Sequence, residues 1–418
     1  MTDKARSEGR SIWEGVRSFA LWLVIAGVVG AVGGVVGALF HISVNNANSL
    51  RETLPWLLFL LPAGGVVIAG IYKLTGMETE NTNAIIDSVH FGDKVPVLLI
   101  PVIFIATTVT HLCGGSAGRE GAALQIGGGL GFNIGRLFRL DEKDLRLATL
   151  CGMSAVFSAL FGTPLTAAVF AMEVISVGVF YYAAFVPCIV AAVVAYGITG
   201  LFSIAPTRFT IVLEPLTAGL LWRVAVLAVA CAVVSAVFCI AMHGTEKLAA
   251  KYIPNTFLRA AAGGALLLAL TYLVGTTDYN GAGMAVVAAA LEQGIARPSA
   301  FFWKLVFTAV TLGFGFKGGE VVPTFFIGAV FGCAVGPLIG IPAGFAAAIG
   351  LIAVFCGAVN CPIASIILSI ELFGSTELIY FAVACGIAYM LSGYFGLYSS
   401  QKIMYSKTKA EFINIQAK

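Results

Sequence analysis

Gly118-Arg-Glu-Gly-Ala-Ala-Leu-Gln-Ile-Gly127-Gly-Gly-Leu-Gly131 and Gly318-Gly-Glu-Val-Val-Pro-Thr-Phe-Phe-Ile-Gly328-Ala-Val-Phe-Gly332 are the stretches on which the fold turns. Each sets a glycine-flanked charged turn before an apolar run with glycine at every fourth position, continued by Gly135 and Gly336. Glycines four apart share one helix face and let a neighbouring backbone come close. Each string is followed by a proline and, nine residues on, a glutamate: Pro164 and Glu173, then Pro362 and Glu371. The glycine strings are offset by 201 residues (127 to 328), and the Pro and Glu by 198 (164 to 362, 173 to 371). Three matches in one order predict two homologous halves, 18–204 and 218–400, joined by a polar segment at 205–217.

Composition names the solvent of these halves. Of 418 residues, 59% are hydrophobic and 11% charged, with mean hydropathy +0.97. Soluble domains carry roughly 25% charged residues, and a soluble core could not hide this much apolar surface. Apolar runs cover 18–39, 54–74, 95–112, 188–202, 220–242, 258–274, 301–316 and 378–397. Those at 122–138, 147–160, 165–177 and 363–373 fall short of the roughly 20 residues a span needs. Short runs broken by Gly and Pro mark helices that stop inside a bilayer, where transporters with paired halves bind substrate. The expected fold is therefore an all-α polytopic membrane protein of two repeats whose half-helices meet near the midplane.

Lys4, Arg6, Arg10 and Arg17 in segment 1–17, and Lys402, Lys407, Lys409 and Lys418 in tail 401–418, predict that both termini are cytoplasmic. A net charge of +3 argues against a nucleic-acid partner. The nine cysteines include no CxxC pair and read as small hydrophobes, and no metal site or cofactor motif is indicated.

The chemistry concentrates at the glycine turns. Arg119 and Glu120 are charged at membrane depth, where charge usually lines a pathway or pairs. A helix N-terminus freed by glycine favours anions. A glutamate there can fill the anion's place and leave when protonated; the alternative is an Arg119–Glu120 bridge locking two helices. The second turn, 313–325, is the partner half-helix, with Glu320 as an unusual second carboxylate and Lys317 snorkelling to an interface. The polar turn Gly76-Met-Glu-Thr-Glu-Asn-Thr-Asn83 reads as a loop, and Glu173 and Glu371 as structural caps. His41, His90, His111 and His243 lack ligand spacing; His111 lies near enough to the first turn to relay protons. Gly114-Gly-Ser116-Ala-Gly118 matches the GxSxG of serine hydrolases, but its flanks look helical, so an enzyme is not expected.

Gly118-Arg-Glu-Gly121 with Gln125-Ile-Gly resembles the GREGP motif of the CLC superfamily of anion channels and anion/proton antiporters. The Pro-x8-Glu elements, Gly319-Glu-Val-Val-Pro323 and Tyr398 in Leu-Tyr-Ser-Ser follow in that family's order, from about residue 20 to 400. The resemblance implies inverted-topology repeats and a homodimer with one pathway per subunit. It makes Glu120 the external gating glutamate and Tyr398 a hydroxyl donor to a central anion, completed by backbone N–H groups near Glu320 and Val321.

This chain departs from the common pattern at Met77 (for a chloride-holding serine), Ala122 (for proline), Val321 (for an aromatic) and Val174 (for the internal proton-carrying glutamate). Met77 and the GGEVxP turn resemble the fluoride-specific branch, in which Glu320 would line the anion route; Val322 stands where that branch carries threonine. The resulting expectation is a fluoride/proton antiporter in the cell membrane. Glu120 would be gate and proton carrier, and Met77, Gly118, Arg119, Glu320, Val321 and Tyr398 would form the anion path. A chloride/proton exchanger or passive chloride channel on the same scaffold is the alternative.

Overall fold

A computed structural model of the chain describes residues 3–374 and 377–418; Met1 and Thr2 of the expected N-terminal segment lie outside the described residues. The first half runs α1 (Asp3–Thr53), α2 (Leu61–Thr75), α3 (Thr82–Phe91), α4 (Leu99–Cys113), α5 (Glu120–Leu137), α6 (Glu142–Phe161), α7 (Pro164–Glu173) and α8 (Phe185–Leu201). The second repeats the order as α9 (Ala218–Tyr252), α10 (Thr256–Val274), α11 (Met284–Ala288), α12 (Ala300–Gly313), α13 (Val321–Val335), α14 (Ala343–Val359), α15 (Pro362–Phe373) and α16 (Leu378–Leu391). Among the described residues, seven helical segments are long and apolar enough to cross a membrane, and shorter apolar helices lie between them.

Local sequence sets the helix ends. Asn81, Asp141, Thr217 and Asn255 cap N-termini with side-chain oxygens, and Gly76, Gly114, Gly162 and Gly275 close C-termini in the left-handed region. Pro164 and Pro362 open α7 and α15, where no intrahelical N–H is required. These two helices are as short as expected, at 10 and 12 residues. Segment 147–160 is not: Asp141 caps a polar first turn, so α6 reaches 20 residues and is long enough to span.

The glycine strings do what their spacing predicts. A Cβ on Gly127 or Gly131 would land on the carbonyls of Gly152 or Ala148, so α5 and α6 touch backbone to backbone. Gly328 and Gly332 stand in the same relation to Gly350 and Ala346, joining α13 to α14. The halves then meet reciprocally, as a pseudo-two-fold axis demands. Gly65 of α2 packs on the Ala260 carbonyl of α10, while Gly264 of α10 packs on the Leu61–Pro62 backbone. Glu173 at the end of α7 accepts hydrogen bonds from Ile363 and Ala364 N–H at the start of α15 (3.1 and 2.8 Å). Glu371 of α15 returns the arrangement to Leu165 and Thr166 of α7 (3.1 and 2.8 Å).

One feature departs from an all-helical chain. The tail folds back as β2 (Lys402–Tyr405) and β3 (Phe412–Gln416), with β2 pairing in parallel with β1 (Ser176–Val177) just after α7. Buried Gln401 donates to the Val174 and Val359 carbonyls (3.0 and 2.9 Å), fixing the Tyr398 loop to both halves.

Candidate functional site

The two charged turns meet. Gly118 N–H donates to Gly319 O (2.7 Å) and Gly319 N–H to Gly118 O (2.8 Å), an antiparallel bridge across the pseudo-two-fold axis. Helices α5 and α13 begin on either side of it, so two sets of unsatisfied first-turn N–H groups point at one region.

Glu120 lies between them and is fully buried. Its Oε2 accepts from Arg119 N–H (2.9 Å) and, at the longer distance of 3.4 Å, from Val322 N–H in the first turn of α13. The first carboxylate thus rests on the opposite half's helix N-terminus, where the positive end of the dipole favours negative charge. Among the described residues its Oε1 accepts no hydrogen bond, and it is 3.9 Å from Arg119 Nε, so the ion pair is loose. A Cβ on Gly118 would meet Glu120 Oε2, so a side chain there would displace the carboxylate from this position.

Glu320 stands at the N-cap position of α13 without a side-chain cap bond; among the described residues its buried Oε2 has no partner, and it lies 2.9 Å from where a Cβ on Gly121 would sit. The Tyr398 hydroxyl is likewise buried and, among the described residues, has no partner. Val321 and Val322 are buried, and Pro323 after them has no N–H, leaving the first two N–H groups of α13 as its available donors. Orphaned buried polar atoms from Glu120, Glu320 and Tyr398 are what a small polar species between these elements would satisfy.

A third helix joins them. The Thr82 hydroxyl donates to Gly121 O (3.4 Å) and accepts from Gln125 Nε2 (3.1 Å), tying the start of α3 to α5. Asn83 and Asp87 hold Ser400, two residues past Tyr398 (3.1 and 2.8 Å). Met77 is buried in the turn closing α2, with its own N–H donating to Tyr72 O (2.9 Å) and therefore not free for a ligand. The sequence reading passed over Thr82, although Asn81 before an amphipathic run is an N-cap signal.

A cavity of about 900 Å³ reaches this region, lined by Glu120, Arg119, Val322, His111 and the Asn45, Asn48 and Arg51 side chains of α1. Buried His111 has its Nε2 3.2 Å from Gly118 O, holding the bridge rather than a metal. Lys317 does not snorkel; its ammonium lies over the Tyr72 ring, 4.3 Å from the centroid. Ser116 sits between two helices, with its Oγ 3.1 Å from Thr308 Oγ1, so the GxSxG match forms an inter-repeat contact instead of a strand-to-helix elbow.

Known proteins carry the same architecture. A family model described as voltage gated chloride channel matches residues 64–393. The "Chloride/fluoride channel protein" of Pseudomonas syringae pv. tomato is 38% identical over 397 residues, covering 93% of this chain and 88% of the relative. The "H(+)/Cl(-) exchange transporter ClcA" of Yersinia pestis is 26% identical over 415 residues, 90% of this chain and 86% of that one. The crystal structure of a CLC-type fluoride/proton antiporter superposes with a TM-score of 0.88 at 30% identity, covering 92% of this chain and 98% of the other. Paired halves meeting at a glutamate-bearing glycine turn, a family match over most of the chain and a near full-length relative agree: this protein belongs to the voltage gated chloride channel, or CLC, family.

Proposed function

We propose that the protein is a fluoride/proton antiporter that exports fluoride in exchange for inward protons. The carrying observation is the seat of Glu120: its carboxylate occupies a helix N-terminus supplied by the other half, with one oxygen unpartnered beside a cavity. Taking up a proton removes the charge that holds it there, and a halide can then replace it on the Val321 and Val322 N–H groups. Gly118 and Arg119 shape that seat. Tyr398 offers its hydroxyl and Glu320 lines the route, with buried Met77 in the turn that leads to α3, from which Thr82 reaches α5.

Fluoride is favoured over chloride by the likeness to a fluoride/proton antiporter and by a narrow donor set that suits a small, strong hydrogen-bond acceptor. The names of the relatives, a chloride/fluoride channel and a proton/chloride exchanger, favour a second reading in which chloride also moves. We further propose a homodimer in the cell membrane, with segments 1–17 and 401–418 cytoplasmic and repeats 18–204 and 218–400 joined at 205–217.

The test is proton-driven flux in liposomes, with fluoride and chloride electrodes run in parallel. Wild-type protein should drive fluoride uphill on an imposed proton gradient, and Glu120→Gln, permanently neutral, should abolish that drive. Proton-driven uptake unchanged in Glu120→Gln would remove the gate assignment, and equal chloride flux would favour the second reading.

A further inference from the structure

The cavity before Glu120 has one wall built by the last turns of the first helix. Helix α1 lies ahead of the matched region, which starts at residue 64, yet its last turns put Asn45, Asn48 and Arg51 into the lining. Asn45 and Asn48 are three residues apart and share a helix face. Each holds a guanidinium by its carboxamide oxygen: Arg119 Nη1 donates to Asn45 (3.1 Å) and Arg51 Nη1 to Asn48 (3.2 Å). Arg51 Nη1 also donates to His111 O (2.9 Å), and Gly281 packs close against the same guanidinium.

A guanidinium carries five N–H donors; both of Arg51's bonds use Nη1, and among the described residues Nε and Nη2 have no hydrogen-bond acceptor. Among the described residues, Arg51 has no carboxylate within ion-pair distance; Glu52 and Asp278 stand exposed at the rim. Behind the wall, fully buried Lys304 donates to the Tyr279 and Gly281 carbonyls (3.2 and 2.6 Å) with its ammonium over the Phe326 ring. Two guanidiniums therefore face the inner part of the recess with Lys304 behind them, while its carboxylates are Glu120 within and Glu52 and Asp278 at the exposed rim. A cleft walled by low dielectric concentrates such a field on its contents, and charge at membrane depth marks ion pathways.

We propose that Arg51 and Arg119, pre-oriented by Asn48 and Asn45, form an outer docking site for a small hydrated monovalent anion, occupied before or after the seat at Glu120. The site rests on the reading that anions pass Glu120, and it assigns α1 a role in substrate capture as well as in spanning. A docking site raises local anion concentration without touching the exchange step, so it acts on apparent KM and leaves the saturating rate alone.

The experiment measures initial fluoride flux against fluoride concentration on the cavity side, at low ionic strength and with about 300 mM potassium gluconate. Arg51→Gln should raise apparent KM about sixfold at low ionic strength, from one charge at about 6 Å in an effective dielectric near 50, with the saturating rate unchanged. The added salt should shrink the difference. Arg51→Lys, which keeps the charge but loses the fork, should fall between the two and keep the salt dependence. Fluoride titrated calorimetrically into detergent-solubilised protein gives a readout that needs no turnover, and Arg51→Gln should weaken binding there too. An unchanged KM and unchanged binding in Arg51→Gln overturn the docking site. A fall in saturating rate that tracks lost thermal stability, shared by Arg51→Lys, overturns it in favour of a structural role. Wild-type protein that binds fluoride but moves none would instead count against the antiporter reading.

Discussion

Replacing Glu173 by Gln removes one arm of the reciprocal clamp between α7 and α15. The carboxylate accepts Ile363 N–H at 3.1 Å and Ala364 N–H at 2.8 Å, both in the first turn of α15. Hydrogen bonds to a charged group contribute about 1.5–3 kcal/mol each, and orphaning a buried N–H costs about 1–3 kcal/mol. A carboxamide keeps one acceptor and turns its NH2 on the other donor, so the loss is one bond plus the charge that complements the helix dipole. Together these come to about 2–4 kcal/mol. Glu371→Gln should cost a similar amount, because its bonds to Leu165 and Thr166 have the same lengths. Exposed Leu165 and Ile363 make the surrounding surface apolar, so in a bilayer no water replaces the lost acceptor. The clamps lie at opposite ends of a helix pair about 15 Å long, far enough apart to add. The double variant should therefore lose about 4–8 kcal/mol, against the roughly 5–15 kcal/mol that typically separates folded from unfolded chains.

Thermal unfolding in detergent, followed by intrinsic fluorescence, reads the stabilities; parallel proton and fluoride fluxes in liposomes read the coupling. Each single variant should be less stable with an unaltered ratio of protons to fluoride. If Glu173→Gln kept wild-type stability, the clamp would fail. If it lost proton coupling while matching Glu371→Gln in stability, Glu173 would be a proton carrier, taking over beside Val174.

Two further outcomes follow from the packing. Gly131→Ala and Gly332→Ala each drive a methyl onto a carbonyl, of Ala148 and Ala346, and should sharply reduce the yield of monodisperse protein; normal yield of either would show that the helix pairs can separate at low cost. Tyr398→Phe deletes a buried hydroxyl that has no partner among the described residues, so melting temperature should hold while fluoride flux falls several-fold; unchanged flux would remove Tyr398 from the anion path.

The repeat was legible because close helix packing leaves a residue-level mark: only glycine lets α5 approach the Ala148 carbonyl, and the same need recurs at Gly332. The convergence of Glu120 and Glu320 followed from the same offset. Hydropathy misjudged α6, since the cap at Asp141 and the charged first turn lengthen the helix beyond its apolar run. The polar stretch 76–83 read as one loop, whereas it holds both the Gly76 turn that uses the Met77 N–H and the Asn81 cap that starts α3. Arg51 and Lys304 gave no local signal because their partners, His111 O and Gly281 O, are backbone atoms distant in sequence. The sheet was hidden because β1 is two residues long and its partner strand follows more than two hundred residues later.

That late strand bears on how the protein is made. While the ribosome is still producing the second half, Ser176 and Val177 have left it with their edge unmatched, and the Val174 carbonyl awaits Gln401. The first half therefore reaches the bilayer as an unfinished module that its own later residues complete. Nonsense truncation or a bulky fusion that displaces 401–416 should injure the earliest-made half, leaving it to quality-control proteases although every one of its own residues is intact.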